Sequence, residues 1–267
     1  MSGLILSSSP PRAAIPGLSI GAEVADLAQG FGLTPVTAAE IEFYLSSAPL
    51  DAFWDTIRSA CAVEGIRLFK IEKEKGKDQY EVALRAEDPL LTARHVTAVK
   101  IILDDTATAY GLTVDFAARP FSDQPGSGLH IHVHLVDESG KRVFFKNDEF
   151  ISDALKFSIG GLLATMRDYM GIFAPTSESL ARFVSGANAP LTISWGANNR
   201  TVAIRLPDSE HDEKRIEHRV AGADADPRKV IAAILSGIRY GLQNKCDPGQ
   251  QIYGDASLEM YGLPKLT

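Results

Sequence analysis

The sequence predicts an α+β fold in which a mainly antiparallel sheet is flanked by long helices. Two long amphipathic helices each begin at an Asp-Pro pair, at Asp88 and at Asp226, where aspartate caps the first turn and proline fits the first helical position. Most predicted strands, by contrast, follow one another without a helix between them. That order favours antiparallel pairing over a doubly wound parallel sheet.

The first half of the chain contains three predicted elements before the helix at Asp88. The run VTAAEIEFYL at residues 36–45 predicts a strand, and residues 51–65 have helical apolar spacing that ends at a glycine. A second strand is predicted over residues 66–72. The helix that begins at Asp88 keeps an apolar stripe until Gly111, so we expect it to pack against the sheet.

A third helix is predicted over about residues 147–169. Its apolar residues fall on one side, and Gly160-Gly161 in its middle allows a neighbour to approach closely. The apolar side consists of Phe150, Ile151, Leu155, Ile159, Leu162 and Met166. The remaining strands are predicted in the runs TVDFAARPF, GLHIHVHLVD, TISWG, RTVAIRLP and RIEHRV.

The overall composition is that of an ordinary globular protein, with 267 residues, of which 45% are hydrophobic and 23% charged. Residues 1–18 are rich in serine, proline and alanine, which predicts a flexible N-terminal segment ahead of one domain over 19–267. The net charge of -7 argues against a nucleic-acid or anionic-membrane surface. Two distant cysteines, no secretory signal and no apolar run of about 20 residues predict a cytoplasmic protein.

Acidic residues recur at a spacing that gathers them on one sheet face. Glu40 and Glu42 stand two apart in the first strand, so both side chains point the same way. Glu74 and Glu81 flank a stretch in which Gly76 can form a tight bend that brings the two carboxylates together. The other candidates are Glu217 in RIEHR and the alternating His130, His132 and His134.

Such oxygen-rich ligands with few nitrogens suit Mg²⁺ or Mn²⁺ better than zinc. Each glutamate pair alone is more typical of a solvated strand face, and the histidine alternation is equally typical of an exposed strand. Only their combination indicates a metal site.

Five arginines of the C-terminal half lie in predicted strands or loops. They are Arg182, Arg200, Arg205, Arg215 and Arg219. Guanidinium groups bind carboxylates and phosphates in a bidentate manner, so acidic metal ligands facing arginines suit phosphoryl transfer to a carboxylate. The alternative for each arginine alone is an ordinary surface ion pair.

The motifs EIEF, EKGKDQYE, GSGLHIH, ARFVSG, NNRTVAIR and RIEHR, in this order, resemble the catalytic domain of the glutamine synthetase family. That family includes relatives that join glutamate to amines other than ammonia. The resemblance extends over roughly residues 36 to 245. It implies a curved, mainly antiparallel sheet and an ATP-dependent γ-glutamyl ligase in which the substrate carboxylate attacks ATP and an amine then displaces phosphate from the acyl phosphate.

The resemblance also implies roles for individual residues. Two Mg²⁺ or Mn²⁺ ions would be bound, one near the attacked carboxylate by Glu42, Glu74 and Glu81, and one at the ATP phosphates by Glu40, His130 and Glu217. Gly126, Arg182 and Arg219 would contact glutamate. His132, His134, Arg200, Arg205 and Arg215 would contact ATP, with Arg200 and Arg215 as the catalytic pair nearest the transferred phosphoryl group.

The sequence departs from the family on the side that receives the amine. Asn188 occupies the position of the family's catalytic glutamate, and a neutral amide cannot accept a proton. Pro125 replaces an asparagine, and His134 replaces a serine. Only 39 residues precede Glu40, so we expect the family's N-terminal β-grasp domain to be lacking. The sequence ends with YGLPKLT, so we also expect the family's C-terminal helices to be lacking.

Two hypotheses of different class follow from these departures. The first is a ligase whose amine is not simply ammonia, or which needs a partner protein to complete the site, as a homo-oligomer or a hetero-complex. The alternative is a catalytically impaired module that binds nucleotide or glutamate in a regulatory role. Phosphoryl transfer to a guanidino group, as in structurally related kinases, is a third possibility.

Overall fold

The computed structural model describes residues 17–145, 151–209 and 213–267, and in these ranges it contains eight β-strands and seven α-helices. The strands are β1 (Leu33–Leu45), β2 (Leu68–Lys73), β3 (Gln79–Leu84), β4 (Val114–Asp115), β5 (Leu129–Asp137), β6 (Trp195–Ala197), β7 (Ile204–Leu206) and β8 (Ile216–His218). The helices are α1 (Ile20–Phe31), α2 (Asp51–Val63), α3 (Pro89–Ala109), α4 (Asp153–Thr165), α5 (Met170–Phe173), α6 (Ser177–Leu180) and α7 (Pro227–Asn244). A 3-10 helix covers Glu259–Tyr261.

All eight strands belong to one sheet, in the order β2-β3-β1-β5-β8-β7-β6, with β4 beside β1. Every pair is antiparallel except β6 and β7, which run parallel. The long strand β1 lies between β3 and β5. The predicted α+β class with a mainly antiparallel sheet is therefore confirmed.

The two Asp-Pro helix starts are confirmed. The carboxylate of Asp88 accepts hydrogen bonds from the backbone N–H groups of Leu90 (2.8 Å) and Leu91 (3.1 Å), and that of Asp226 accepts one from Arg228 (2.9 Å). Helix α7 is buried along most of its length and packs against α1, α3 and α4, while α3 packs against β1. The hydrophobic core therefore lies between these helices and the sheet.

The third predicted helix is shorter than expected. Helix α4 begins after Ser152, whose hydroxyl accepts a hydrogen bond from the N–H of Leu155 (3.1 Å), and Phe150 lies outside the described residues. The predicted close approach at its glycines is correct, because a Cβ added to Gly161 would lie 2.2 Å from the carbonyl oxygen of Gly237. Glycine thus allows α4 and α7 to touch through their backbones.

Helix α1 was not predicted. Ser19 caps it through a 3.2 Å hydrogen bond from Ala22, and Gly32 ends it with a φ of 64°. Glu23 joins it to α7 through a 2.7 Å ion pair with Arg239.

Among the described residues, the helices are too short or too polar to span a lipid bilayer.

Candidate functional site

Strand pairing gathers the candidate ligands on one face of the sheet. Glu42 on β1 lies opposite Glu81 on β3, and Glu40 lies opposite His130 on β5. His132 in turn lies opposite Glu217 on β8. Directly opposed residues project from the same face, so one side of the central strands carries all six groups.

Glu74 reaches this face through the turn between β2 and β3. The Glu74 N–H donates to the carbonyl of Gln79 (2.8 Å) and closes the turn. The positive φ in this turn belongs to Asp78 (56°) rather than to Gly76. Gly76 is needed for close approach, because a Cβ there would lie 2.2 Å from the hydroxyl of Tyr44. The predicted turn is therefore present, but Asp78 and not Gly76 provides its positive φ, and glycine is required at residue 76 by the nearby Tyr44 hydroxyl.

The carboxylates form a first cluster of Glu42, Glu74 and Glu81, whose oxygens lie within 4.8 Å of one another. A second grouping joins Glu40 and Glu217 to His132, and a third joins Glu40 and Glu81 to His130, each within the same 4.8 Å. Nδ1 of His130 lies 3.4 Å from Glu40 and 3.9 Å from Glu217. The six residues expected to hold two metals thus converge.

His132 lies closer to the acidic cluster than its expected place among the ATP contacts implies. Its Nε2 atom is 3.1 Å from a carboxylate oxygen of Glu40. Its Nδ1 atom accepts a 3.3 Å hydrogen bond from Arg215. His132 therefore connects the acidic cluster to the arginine on its far side.

The protonation of the carboxyl groups differs strongly within the cluster. Burial and the neighbouring Glu40 raise the pKa of Glu81 to about 8. Burial also raises the pKa of Glu40, but His132 and His130 outweigh burial and hold this pKa below its usual range. Burial opposes the ionisation of Glu217 as well, yet Arg219 and the two histidines lower its pKa to about 2. Burial and Glu42 raise the pKa of Glu74.

Three buried polar atoms in the cluster make no hydrogen bond of good geometry with the described residues. Two of them lie beside a charged group, since Oε1 of Glu81 is 3.2 Å from the Lys70 ammonium and Nε2 of His132 is 3.1 Å from a carboxylate oxygen of Glu40. The third is Nε2 of His130. Burying a polar atom without a hydrogen bond is destabilising, and buried carboxylate oxygens together with an imidazole nitrogen are suitable ligands for a divalent metal ion. The residues present therefore fit a divalent metal ion.

Three arginines from the C-terminal half of the chain lie next to the cluster. Arg205 donates to Glu217 at 2.8 Å, and Arg219 forms an ion pair with the same carboxylate. Arg182 is fully buried, and desolvation lowers its pKa to about 10. Its guanidinium donates to the carbonyl of Val220 at 2.9 Å. These three side chains place positive charge next to the acidic face.

The packing of Arg182 requires glycine at both glycine positions of the GSG motif, Gly126 and Gly128. A Cβ on Gly126 would lie 2.8 Å from Cγ of Arg182 and 2.7 Å from the carbonyl oxygen of Ala118. A Cβ on Gly128 would lie 2.6 Å from both the Arg182 guanidinium and Nε2 of His130. Only glycine leaves room for this arginine behind the cluster.

A cavity of about 390 Å³ opens beside Glu40 and His132. His134 and Arg215 line it as well, and burial with the nearby Arg142 and Arg215 lowers the pKa of His134 to about 4. Sequence reasoning missed Arg67, Phe69 and Arg85 on its opposite wall. The Arg85 guanidinium lies 5.5 Å from the centre of the exposed Phe69 ring. The two-residue spacing of Arg67 and Phe69 at the start of β2 was the available signal.

A second cavity of about 400 Å³ lies beside the β2–β3 turn, and two of the three altered family positions, Pro125 and Asn188, line it. Arg200 lines this cavity rather than the first, so it is separated from Arg215. Lys75 also lines it, and its ammonium donates to the side-chain oxygen of Asn188 at 3.3 Å. Lys75 was missed, although its place beside Glu74 in the EKGKDQYE motif was the available signal.

An antiparallel sheet that presents glutamates, histidines and arginines between two cavities is typical of a metal-dependent enzyme acting on phosphate and carboxylate groups. The family described as glutamine synthetase, catalytic domain, matches residues 44–261. The chain belongs to this family. The matched range begins inside β1, just after Glu40 and Glu42.

Two curated relatives and one solved structure illustrate the likeness. The chain is 32% identical to the γ-glutamylputrescine synthetase of Escherichia coli K12 over 266 residues, covering 87% of this chain and 56% of that protein. It is 35% identical to a glutamate–isopropylamine ligase from a Pseudomonas species, covering 72% of this chain and 42% of that protein. A solved GmaS/ADP complex superposes with a TM-score of 0.83 at 26% identity, covering 93% of this chain and 64% of that one. The chain therefore spans about half the length of the curated relatives it matches.

Proposed function

We propose that this protein is an ATP-dependent γ-glutamyl ligase that acts through an acyl phosphate on an amine other than ammonia. The convergence of five glutamates and a histidine on one sheet face is the observation that carries the proposal. Family relatives named as ligases of glutamate with putrescine and isopropylamine support the reaction class.

Two divalent metal ions, Mg²⁺ or Mn²⁺, fit the acidic face in this proposal. Glu42, Glu74 and Glu81 would hold one ion. Glu40, Glu217 and His130 would hold the other, since His130 lies within 3.9 Å of both carboxylates. Bound there, the ions would neutralise the negative charge of the phosphates and of the attacked carboxylate.

The cavity beside Glu40 suits the nucleotide. Phe69 and Arg85 offer an aromatic face and a cation at its outer wall, while His132, His134 and Arg215 line the wall nearest the cluster. ATP bound this way would direct its γ-phosphate toward the acidic face. Arg205, and Arg215 as one of the two proposed catalytic arginines, would then offset charge as the phosphoryl group moves. Arg200, the other, lines the second cavity and would have to reach the phosphate from there.

Glutamate would lie on the other side of the cluster, near Gly126, Arg182 and Arg219. One oxygen of its γ-carboxylate attacks the γ-phosphorus of ATP, the bond to the β-phosphate oxygen breaks, and ADP leaves. The amine nitrogen then attacks the acyl carbon, the C–O bond to phosphate breaks, and the amine proton passes to solvent. The residues of the chain bind and orient the reactants in this scheme, and none forms a covalent intermediate.

The second cavity suggests why ammonia is not the preferred acceptor. Asn188 cannot take up a proton, and Lys75 donates a hydrogen bond to it. Lys75 and Arg200 are cations on this wall, and Asp255 is its one carboxylate among the described residues. Such a surface disfavours ammonium and favours amines that are neutral at physiological pH or carry an acidic group.

The decisive experiment incubates the purified protein with ATP, Mg²⁺ or Mn²⁺, glutamate and a panel of amines that differ in charge and basicity. We expect ADP release that depends on both glutamate and amine, with a γ-glutamyl amide identified by mass spectrometry. Absence of turnover with every amine, alone and with candidate partner proteins, would refute the proposal.

A second candidate function is a module that binds nucleotide or glutamate without turnover, in a regulatory role. The neutral Asn188 and its hydrogen bond to Lys75 favour this candidate. Calorimetric titration with ATP and Mn²⁺ separates the two, because tight binding without ADP formation supports the module and steady amide formation excludes it.

A further inference from the structure

The backbone segment 125–128, between β4 and β5, is completely hydrogen-bonded although it is not part of a helix or strand. Toward other backbone groups, the N–H of Gly126 donates to Ala187 (2.8 Å) and that of Ser127 donates to Ala118 (2.8 Å). The carbonyl of Ser127 accepts from Ala223 (3.0 Å), and that of Gly128 accepts from Glu42 (3.0 Å). The backbone of the neighbouring loops and of β1 therefore fixes the segment.

Three side chains fix the remaining groups of this segment. The hydroxyl of Tyr44 donates to the carbonyl of Pro125 (2.8 Å), and the amide of Gln79 donates to the carbonyl of Gly126 (3.0 Å). The carboxylate of Glu42 accepts from the N–H of Gly128 (2.6 Å). All three side chains come from β1 and β3, the strands that carry the first acidic cluster.

Gln79 and Tyr44 are buried, with only 1% and 2% of their surfaces exposed. The side-chain oxygen of Gln79 also accepts from the N–H of Gly76 (3.0 Å), so one amide group spans the β2–β3 turn and segment 125–128. The Tyr44 ring meets Phe121 edge to face, with centroids 5.1 Å apart. Neither side chain is free to reorient, so their donors have fixed positions.

We propose that Tyr44 and Gln79 are positioning residues that fix the distance between segment 125–128 and the acidic cluster. This distance determines how well the carboxylate substrate fits. The role in substrate fit rests on the proposed function, whereas the role in holding the segment does not. Tyr44 and Glu42 lie on β1, and Gln79 and Glu81 lie on β3. The two strands therefore connect the backbone of segment 125–128 rigidly to the carboxylates that would bind the metal. Neither residue touches the reacting atoms in this proposal.

Tyr44→Phe is the cleanest test, since it removes one hydrogen-bond donor and leaves the ring packing intact. Gln79→Met is the second variant, with similar length and no donor, although it also frees the N–H of Gly76. Tyr169→Phe is the matched control, because Tyr169 is a buried tyrosine whose hydroxyl donates to Ser236 (3.0 Å) in the helical layer. Each variant is compared with the wild-type protein by two measurements.

The first readout is amide hydrogen exchange of residues 126–128, which requires no activity. We expect exchange about fivefold faster in Tyr44→Phe and Gln79→Met, the effect of losing one buried hydrogen bond, and unchanged exchange in Tyr169→Phe. Unchanged exchange in both test variants would overturn the proposal, and this result is independent of whether the protein is a ligase.

The second readout is the ADP-release assay with glutamate and ATP varied separately. We expect the KM for glutamate to rise about fivefold in the two test variants while the KM for ATP stays constant. An equal rise in both KM values, or faster exchange without any change for glutamate, would reject the role in substrate fit. If the wild-type chain shows no turnover, the proposed function fails and hydrogen exchange alone decides the positioning role.

Discussion

Glu42 and Glu81 stand directly opposite each other on β1 and β3, so two buried carboxyl groups share one position of the sheet face. Like charges in directly opposed positions destabilise a sheet. In the described structure the nearest cation is Lys70, whose ammonium lies 3.2 Å from Glu81. Lys70 also pairs with Glu72, so a proton or a bound metal ion would stabilise the two opposed carboxyl groups further.

Divalent cations should stabilise the protein through this pair. At 100 times its dissociation constant, Mn²⁺ should raise the free energy of unfolding by about 2.7 kcal/mol relative to the chelated protein. Glu81→Gln should remove most of that gain, because it deletes one anionic ligand of the first cluster. Thermal unfolding with Mn²⁺ and with chelator measures both effects.

Glu72→Gln is the control for this prediction. Glu72 lies opposite Glu81 on β2 and has the same charge, but it is exposed and is not one of the three clustered carboxylates. It should keep the full Mn²⁺ effect. Equal losses in Glu72→Gln and Glu81→Gln would mean that the ion responds to general negative charge and not to the cluster.

The metal-free protein should lose stability as pH rises from 6.5 to 8. The pKa of Glu81 is about 8 in the fold against an ordinary value of 4.5, so its contribution is complete below pH 4.5 and disappears as pH approaches 8. Each pH unit in this window costs up to about 1.4 kcal/mol. His134 and His218, whose folded pKa values are about 4 and 3, oppose this trend only below their ordinary value of 6.5.

Chemical unfolding with chelator at several pH values isolates this effect as the difference between wild type and Glu81→Gln. The difference should grow in favour of the variant as pH increases. A constant difference between pH 6.5 and 8 would show that Glu81 is already ionised in the metal-free fold.

Local spacing allowed much of the site to be predicted. The two-residue period of β1 fixes the common face of Glu40 and Glu42, and the Asp-Pro pairs fix the starts of α3 and α7. These features depend on neighbours in the chain, which the sequence displays directly.

Features that depend on distant parts of the chain were missed or assigned to the wrong cause. Residue 76 must be glycine because the hydroxyl of Tyr44, which lies on β1, leaves no room for a Cβ there. The contact of Lys75 with Asn188 joins residues that are 113 positions apart. Helix α1 was missed although Ile20, Val24 and Leu27 form an apolar repeat of their own, whereas its packing against α7 and the ion pair between Glu23 and Arg239 depend on a distant part of the chain.

Gly128→Ala should damage both the fold and the metal site. Its Cβ would lie 2.6 Å from Nε2 of His130 and from the buried Arg182 guanidinium, and overpacking of this kind costs about 1–3 kcal/mol. Displacement of His130 should also weaken Mn²⁺ binding. Unfolding experiments and Mn²⁺ titration measure the two effects separately.

Gly171→Ala is the matched control, because Gly171 lies in helix α5 with no atom within 4 Å of the added Cβ and no positive φ. It should be neutral or stabilising by up to about 1 kcal/mol. If Gly128→Ala is tolerated as well as Gly171→Ala, the space behind the acidic cluster is larger than the structure indicates.

Lys75 should control which amines the proposed ligase accepts. Lys75→Met removes the cation that pairs with Asn188 on the wall of the second cavity, and the repulsion of one exposed charge is worth about 1 kcal/mol at contact distance in water. The KM for a cationic diamine should therefore fall roughly threefold to fivefold, while the KM for a neutral, weakly basic amine stays constant. Lys77→Met serves as control, since Lys77 is exposed in the same turn but does not line the cavity. Equal changes in Lys75→Met and Lys77→Met, or a parallel shift for both kinds of amine, would show that the acceptor does not bind beside Lys75.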